Sequence, residues 1–374
     1  MAKKQSQDDV VGPDRPEEEI EGLDDVVDSG LGEYPIDTLL IRKDTRTVFD
    51  VVRRIDKEDF VLDPDFQRDF VWPVDKQSKL IESVVMRIPL PVFYLAEDKQ
   101  GRAIVVDGLQ RLSTFRDFLG NKLKLKLPDQ EGLHGKKFED LPAKLQNRVE
   151  DCNLELYVID SKVPERAKLD IFERVNSGTV LTRQQMRNCL FMGPATRWIK
   201  KQVTTKLFLD STGKSLDAKK MRDRECVNRF CAFFLLGVEK YKKDMDDFLA
   251  RALESMNAMS DETLDQLAST FQRGLRNNFE LFGKHAFRKH APGQQDRSIL
   301  NASLWDVMST GLARYSVDHV NENADQLREA FYDLLSESDF NDAITYGPNS
   351  TKKVAKRFQM AEAMFKEVLG DYED

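Results

Sequence analysis

Between residues 103 and 119 the sequence changes its period once, and the change constrains the fold more than anything else in the chain. Ala103-Ile104-Val105-Val106 is a continuous, largely β-branched apolar run, the pattern of a strand buried on both faces. It stops at Asp107-Gly108. Leu109, Leu112, Phe115 and Leu119 then recur at helical spacing. A buried strand that feeds a helix through a glycine turn commits this region to a mixed α/β layer. The neighbouring segments agree. Val92-Phe93-Tyr94-Leu95 is a second β-rich run, joined to the first by a polar loop ending in Gly101, so a hairpin is predicted. Leu80, Ile81, Val84 and Val85 predict a helix over 75–87. The alternations at 122–127 and 154–159 predict two further strands.

The turn itself has two chemical readings, and both stay open on spacing alone. A helix N-terminus presents unpaired N–H groups and a partial positive charge, which favours an anion. Gly108 lacks the Cβ that would hold a ligand off the backbone. Gln110, Arg111 and Thr114 project opposite Leu112, Phe115 and Leu119, with Ser113 beside them. Arg111 offers a planar fork to phosphate oxygens. Asp107 could accept from a ribose hydroxyl or bind magnesium. The alternative is structural: Asp107 caps the helix and pairs with Arg111.

Two other segments carry polar side chains among aromatics or at a tight turn. Phe66-Gln67-Arg68-Asp69-Phe70-Val71-Trp72-Pro73 sets Gln67 and Arg68 inside an aromatic cluster just before a helix. Phe172-Glu173-Arg174-Val175-Asn176-Ser177-Gly178 ends in a turn sequence. It is followed by Thr182-x-x-Gln185, the pattern of a helix capping box.

Together these segments resemble the N-terminal domain of GmrSD-type modification-dependent restriction enzymes, the domain of unknown function 262. The residues that carry the resemblance are Pro64-x-Phe66-Gln67-Arg68-x-Phe70-x-Trp72, Leu80-Ile81-x-Ser83, and Ile88-Pro89-Leu90-Pro91. Val105-Val106-Asp107-Gly108-Leu109-Gln110-Arg111-Leu112-Ser113-Thr114, Phe172-x-Arg174-Val175-Asn176-x-Gly178 and Leu181-x-x-Gln184 follow in order. The resemblance covers about residues 40–195. It implies a ParB/sulfiredoxin-like α/β core that binds a nucleoside triphosphate with Mg2+, and that hydrolyses it through the D-G-Q-Q-R motif. Carried over, Asp107, Gln110 and Arg111 are the catalytic candidates, with Asp107 as magnesium ligand. Gln67, Arg68, Gly108, Ser113, Thr114 and Asn176 are the nucleotide-binding candidates. The motif departs from the family at Leu109, which replaces its first Gln and puts hydrolysis in question.

The family pairs this domain with an HNH nuclease, whose chemistry needs a histidine beside metal ligands. Only His134, His285, His290 and His319 are available. His285 and His290 are the only cluster, and as a helix their spacing would set the rings on different faces. The nuclease half is therefore expected to be absent or to come from a separate subunit. Thr212-Gly213-Lys214-Ser215 has the tail of a P-loop, but Phe208 stands where its first glycine belongs, so a surface turn is predicted.

Beyond Pro164 helical spacing dominates, with helices predicted at 244–257, 261–281, 298–315, 322–336 and 351–368. The expected organisation is α+β: an acidic disordered tail over 1–35, the ParB/sulfiredoxin-like nucleotide-binding domain over 36–195, and an all-helical domain over 196–374. Residues 1–33 hold 11 acidic and 3 basic side chains. That accounts for the whole net charge of −8 and leaves 54 of each sign in the remainder. A balanced body lacks the global basic field of a nonspecific DNA binder. The stretch Lys284 to Lys289 and the local run Lys352, Lys353, Lys356 and Arg357 are the best candidates for DNA phosphate contacts. Four cysteines without a C-x-x-C pair argue against zinc, and neither haem nor flavin is expected. No apolar run reaches the ~20 residues of a membrane span, and no signal peptide opens the chain, so a cytoplasmic protein is expected. The favoured reading is a nucleotide-binding component of a DNA restriction or anti-phage defence system, with DNA, a nuclease subunit or further copies of itself as partners. A non-catalytic DNA-binding protein and a stand-alone ParB-like nuclease are the competing readings.

Overall fold

The computed structural model describes residues 20–23, 41–62, 72–98, 100–175 and 182–371. Those within 26–203 and 218–267 form one compact unit. Those within 1–25, 204–217 and 268–374 form a second.

The first unit is built on a five-stranded mixed sheet. Its strands are β1 (Ile41–Thr47), β2 (Phe60–Val61), β3 (Phe93–Glu97), β4 (Ala103–Asp107) and β5 (Asn153–Ile159), in the order β1-β5-β3-β4-β2. β3 and β4 form the expected antiparallel hairpin, β3 runs parallel to β5, and β1 closes one edge antiparallel to β5. Ala103, Ile104, Val105 and Val106 are all buried, as a continuous apolar strand requires. The hairpin register shifts between Tyr94 and Leu95, which pair with Asp107 and Val105. Val106 is thus the extra residue of a bulge, and bulges re-aim the strand end next to them. Here that end is Asp107.

Thr47 ends β1 and caps α1 (Val48–Asp56), its Oγ1 accepting from the Asp50 N–H at 3.2 Å. Helices α2 (Val74–Val85), α3 (Leu109–Leu119) and α4 (Ala143–Glu150) pack with α1 into one layer. Helices α5 (Glu165–Val175) and α6 (Arg183–Leu190) contact β4. The capping box at the start of α6 forms as predicted, Thr182 and Gln185 each bonding the other's backbone N–H. α7 (Pro194–Val203) packs in this same unit. α8 (Lys206–Thr212) belongs to the second, and α9 (Arg222–Leu236) and α10 (Met245–Asn257) return to the first. A buried charge network ties these helices. Arg187, 1% exposed, pairs with Asp246 and, at 3.5 Å, with Glu225, while Arg183 pairs with Asp170 and Asp246.

The predicted strand over 122–127 is not one. Leu123, Leu125 and Leu127 are buried alternately, but their backbone bonds locally: Leu125 N–H to the Lys136 carbonyl at 2.9 Å, Lys126 N–H to Ser78 Oγ at 2.8 Å. The segment is an extended strap over α2, and its alternation reads one buried face without a sheet.

After α11 (Asp261–Phe282), the second unit is organised around α12 (Ala302–Leu312), which is buried on every side except at Gly311. Its other helices are α13 (Val317–Glu322), α14 (Ala324–Ser336), α15 (Ser338–Thr345) and α16 (Thr351–Leu369). Gly311 lets α16 approach: a Cβ there would lie 2.2 Å from the Phe365 ring. Thr212-Gly213 is the left-handed C-cap of α8, with Gly213 at φ +65, as the surface-turn reading expected. No helix among the described residues is long and apolar enough to cross a membrane.

Candidate functional site

Asp107, Gly108 and the first turn of α3 meet the end of β3 at the bulge. Gly108 sits at the N-cap with φ +97, a left-handed conformation that a Cβ opposes. The close approach it permits is to the protein itself. A Cβ on Gly108 would lie 2.2 Å from Phe93 Cδ1. Being glycine, it has no side chain to cap the first helical N–H groups.

Arg111 is 8% exposed rather than displayed on a polar face, and Thr114 is fully buried. This corrects the expectation that the two share a solvent-facing side with Gln110. The helix is covered on more than the Leu112/Phe115 side, because the loop before β3 wraps over Arg111. Arg111 Nη2 donates to Asp107 Oδ2 at 2.8 Å and to the Val92 carbonyl at 3.0 Å, and Nη1 donates to the Pro91 carbonyl. Its guanidinium lies 4.1 Å over the Phe93 ring. Burial pulls the guanidinium below its ordinary pKa, and the Asp107 charge opposes that. Of the two readings left open by spacing, the Asp107–Arg111 ion pair is present. Ser113 and Thr114 direct their hydroxyls to the carbonyls of Leu109 and Gln110, a back-bonding that occupies the donors.

Gln110 differs from its neighbours. Its Oε1 accepts from the Trp72 N–H at 3.0 Å, which ties the end of the Phe66–Trp72 segment to the turn. Its Nε2 is buried and has no partner among the described residues. An amide nitrogen with two donors and no acceptor is a costly arrangement that a ligand oxygen would relieve. Gln67, Arg68 and Asn176 lie outside the described residues. The Trp72–Gln110 bond and the carbonyls of Pro91 and Val92 had no signal in the periodicity. The Ile88-Pro89-Leu90-Pro91 motif marked their place without revealing their role.

The basic run on α16 is split between surface and core. Arg357 is fully buried, pairs with Asp306 at 2.9 Å and donates to the Pro348 carbonyl. It is a core ion pair and not a DNA-facing cation. Lys353 pairs with Asp342 and Lys356 with Asp339, both at 3.0 Å, while Lys352 is exposed. His285 and His290 are also placed otherwise than helical spacing implied. The chain turns at Phe287, φ +61, and the two rings stack with centroids 4.9 Å apart. No group of three or more metal-ligating side chains occurs among the described residues.

Residues 48–192 match the family described as GmrSD restriction endonuclease, N-terminal domain. The chain carries a GmrSD N-terminal domain. The match runs from α1 to the loop after α6, takes in every strand of the sheet but β1, and includes the whole turn at 107–114. The likeness to a restriction-enzyme domain is that of the matched residues. No curated protein and no solved structure matches the chain.

Proposed function

We propose that the GmrSD N-terminal domain of this chain binds a nucleoside triphosphate at the Asp107–Thr114 turn and reports its occupancy to the rest of a restriction system. The observation that carries this is the unsatisfied Gln110 Nε2, set at a helix N-terminus with no side-chain cap. A phosphate oxygen would satisfy the amide and the first-turn N–H groups together. Gln67 and Arg68 precede the segment that Gln110 holds by the Trp72 N–H, so they are the next candidates.

A magnesium ion held by protein alone would need more carboxylates than this turn supplies. Asp107 has one oxygen engaged by Arg111 and could give the other to an ion that arrives on the triphosphate. Leu109 is 5% exposed and packs into the core. Its side chain cannot orient a water, so hydrolysis, where it occurs, rests on Gln110. The nuclease is assigned to a separate subunit. Three of the four histidines bond to backbone groups, at Leu127, Arg288 and Leu369, and the fourth, His285, stacks on His290.

Calorimetry with the four nucleoside triphosphates and magnesium tests the proposal. Gln110→Glu keeps the stem and an acceptor for the Trp72 N–H and removes the Nε2 donor; Gln110→Met removes both. With ~1.5–3 kcal/mol at stake for a hydrogen bond to a charged group, affinity should fall roughly 10- to 160-fold. Arg111→Ala is the wrong variant, because it strips two backbone carbonyls and Asp107 of their partner. Absence of binding by all four triphosphates would overturn the proposal.

A further inference from the structure

The second unit holds a stretch of chain that belongs, by sequence, to the acidic N-terminal segment. Ile20 is buried, and Glu21 forms a parallel bridge with Asn301, 280 residues away. The Glu21 N–H donates to the Leu300 carbonyl at 3.0 Å, and the Ala302 N–H donates to the Glu21 carbonyl at 2.9 Å. The carboxylate is held at both oxygens: Lys289 Nζ reaches Oε1 at 2.6 Å and Asn301 Nδ2 reaches Oε2 at 2.9 Å. Gly22 follows at φ +85, a conformation that selects glycine, with Pro348 and Ala302 lying against it.

The residues that hold the segment are also held by contacts of their own. Asn301 is fully buried and caps α12 through Oδ1, which accepts from the Leu304 N–H at 2.8 Å. Its Nδ2 also donates to the Ile344 carbonyl at 3.0 Å. Lys289 is steadied by Thr345 Oγ1 at 2.7 Å. Leu300 is bridged on its other side to Arg288. A cation and an amide thus hold the Glu21 carboxylate, while the Leu300 carbonyl and the first N–H of α12 hold the Glu21 backbone.

We infer that the second unit carries a binding site for a short acidic peptide of the pattern apolar-Glu-Gly, and that the chain's own Ile20-Glu21-Gly22 fills it as a detachable latch. Two backbone hydrogen bonds, one apolar side chain and a half-exposed ion pair make a contact that holds through its tether. A peptide supplied in trans must therefore be given at about the millimolar effective concentration that a tether provides.

Hydrogen exchange on the full chain reads the latch directly, because the Glu21 and Ala302 N–H groups are protected only while it is closed. Glu21→Lys and Lys289→Glu should each speed exchange at Ala302 by roughly tenfold or more, as local opening does. The double reversal should restore protection. A synthetic peptide of residues 17–23 at about 5 mM should restore Ala302 protection in the Glu21→Lys protein, and the same peptide with Glu21→Ala should not. Ala302 exchange that is unchanged in Glu21→Lys, or that ignores the wild-type peptide, would overturn the inference.

Discussion

Gly108→Ala separates a structural from a ligand-binding role at the centre of the motif, and its cost can be worked from geometry. Two terms add. At φ +97 an alanine pays about 1–2 kcal/mol for left-handed backbone. Its Cβ would also lie 2.2 Å from Phe93 Cδ1 and 2.8 Å from Cε1, a distance no side chain tolerates. The ring is fully buried and cannot swing away freely, so overpacking adds about 1–3 kcal/mol. The expected loss is therefore about 2–5 kcal/mol with no nucleotide present. Phe93→Ala alone should cost about 3–5 kcal/mol through its cavity. In the double variant the clash has vanished and only the backbone strain remains. The two changes should then be less than additive by the overpacking share, about 1–3 kcal/mol. The lost stacking of Arg111 on Phe93 enters both legs of the cycle and cancels. Urea unfolding of the four proteins at equal pH reads all of this. Additivity within about 0.5 kcal/mol would refute the packing argument, as would Gly108→Ala that keeps its stability and loses only nucleotide affinity.

Three further outcomes follow from the same reasoning. Asp306→Asn leaves Arg357 as an unpaired charge in a fully buried site and should cost about 3–5 kcal/mol by denaturant unfolding, whereas Asp306→Leu with Arg357→Leu should recover much of that loss. Thr182→Ala removes one half of the capping box and should cost about 1 kcal/mol, with nucleotide affinity unchanged. Burial holds both His285 and His290 below the ordinary histidine pKa, helped by Lys284 and Arg288 at the first ring and by His285 at the second. Above that ordinary value both states are neutral and stability is flat. As pH falls through it, the unfolded chain takes up protons that the folded one refuses, so stability declines. Thermal unfolding between pH 7.5 and 5 should show this slope, and His290→Phe, set among Phe282, Phe331 and Tyr332, should flatten it.

The sequence revealed what depends on period and local chemistry. The buried run 103–106, the hairpin, the capping box at Thr182 and the long helices are each written in nearest neighbours. The edge strand β1 carries no periodic signal, because none of its residues is buried and most are charged: Arg42, Lys43, Asp44 and Arg46. The strap at 123–127 was misread because burial on one side produces alternation whether or not a strand lies beside it. Helical periodicity also failed at His290. The ring stack depends on a left-handed Phe287, a residue type that rarely marks a turn. The close packing of Gly108 on Phe93 and the reach of Arg111 to Pro91 and Val92 are contacts across 15 to 20 positions. No local pattern encodes them.

This distribution of roles changes how the Asp107-to-Thr114 motif should be read. Gly108 is fixed by Phe93, Arg111 by Asp107 and two carbonyls, Leu109 by the core, and Ser113 and Thr114 by helix carbonyls. Nearly every side chain of the motif is therefore already occupied within the fold. Loss of activity on mutating Gly108 or Arg111 would be expected whether or not either meets a ligand. Gln110 is the exception: one end holds the Trp72 backbone and the other is a buried donor without an acceptor among the described residues. Leu109 sharpens the point. With an apolar residue where the motif it resembles has an amide, this turn has one amide, Gln110. Under the proposed function, binding and any hydrolysis fall on the same side chain, and Gln110→Met should diminish both together.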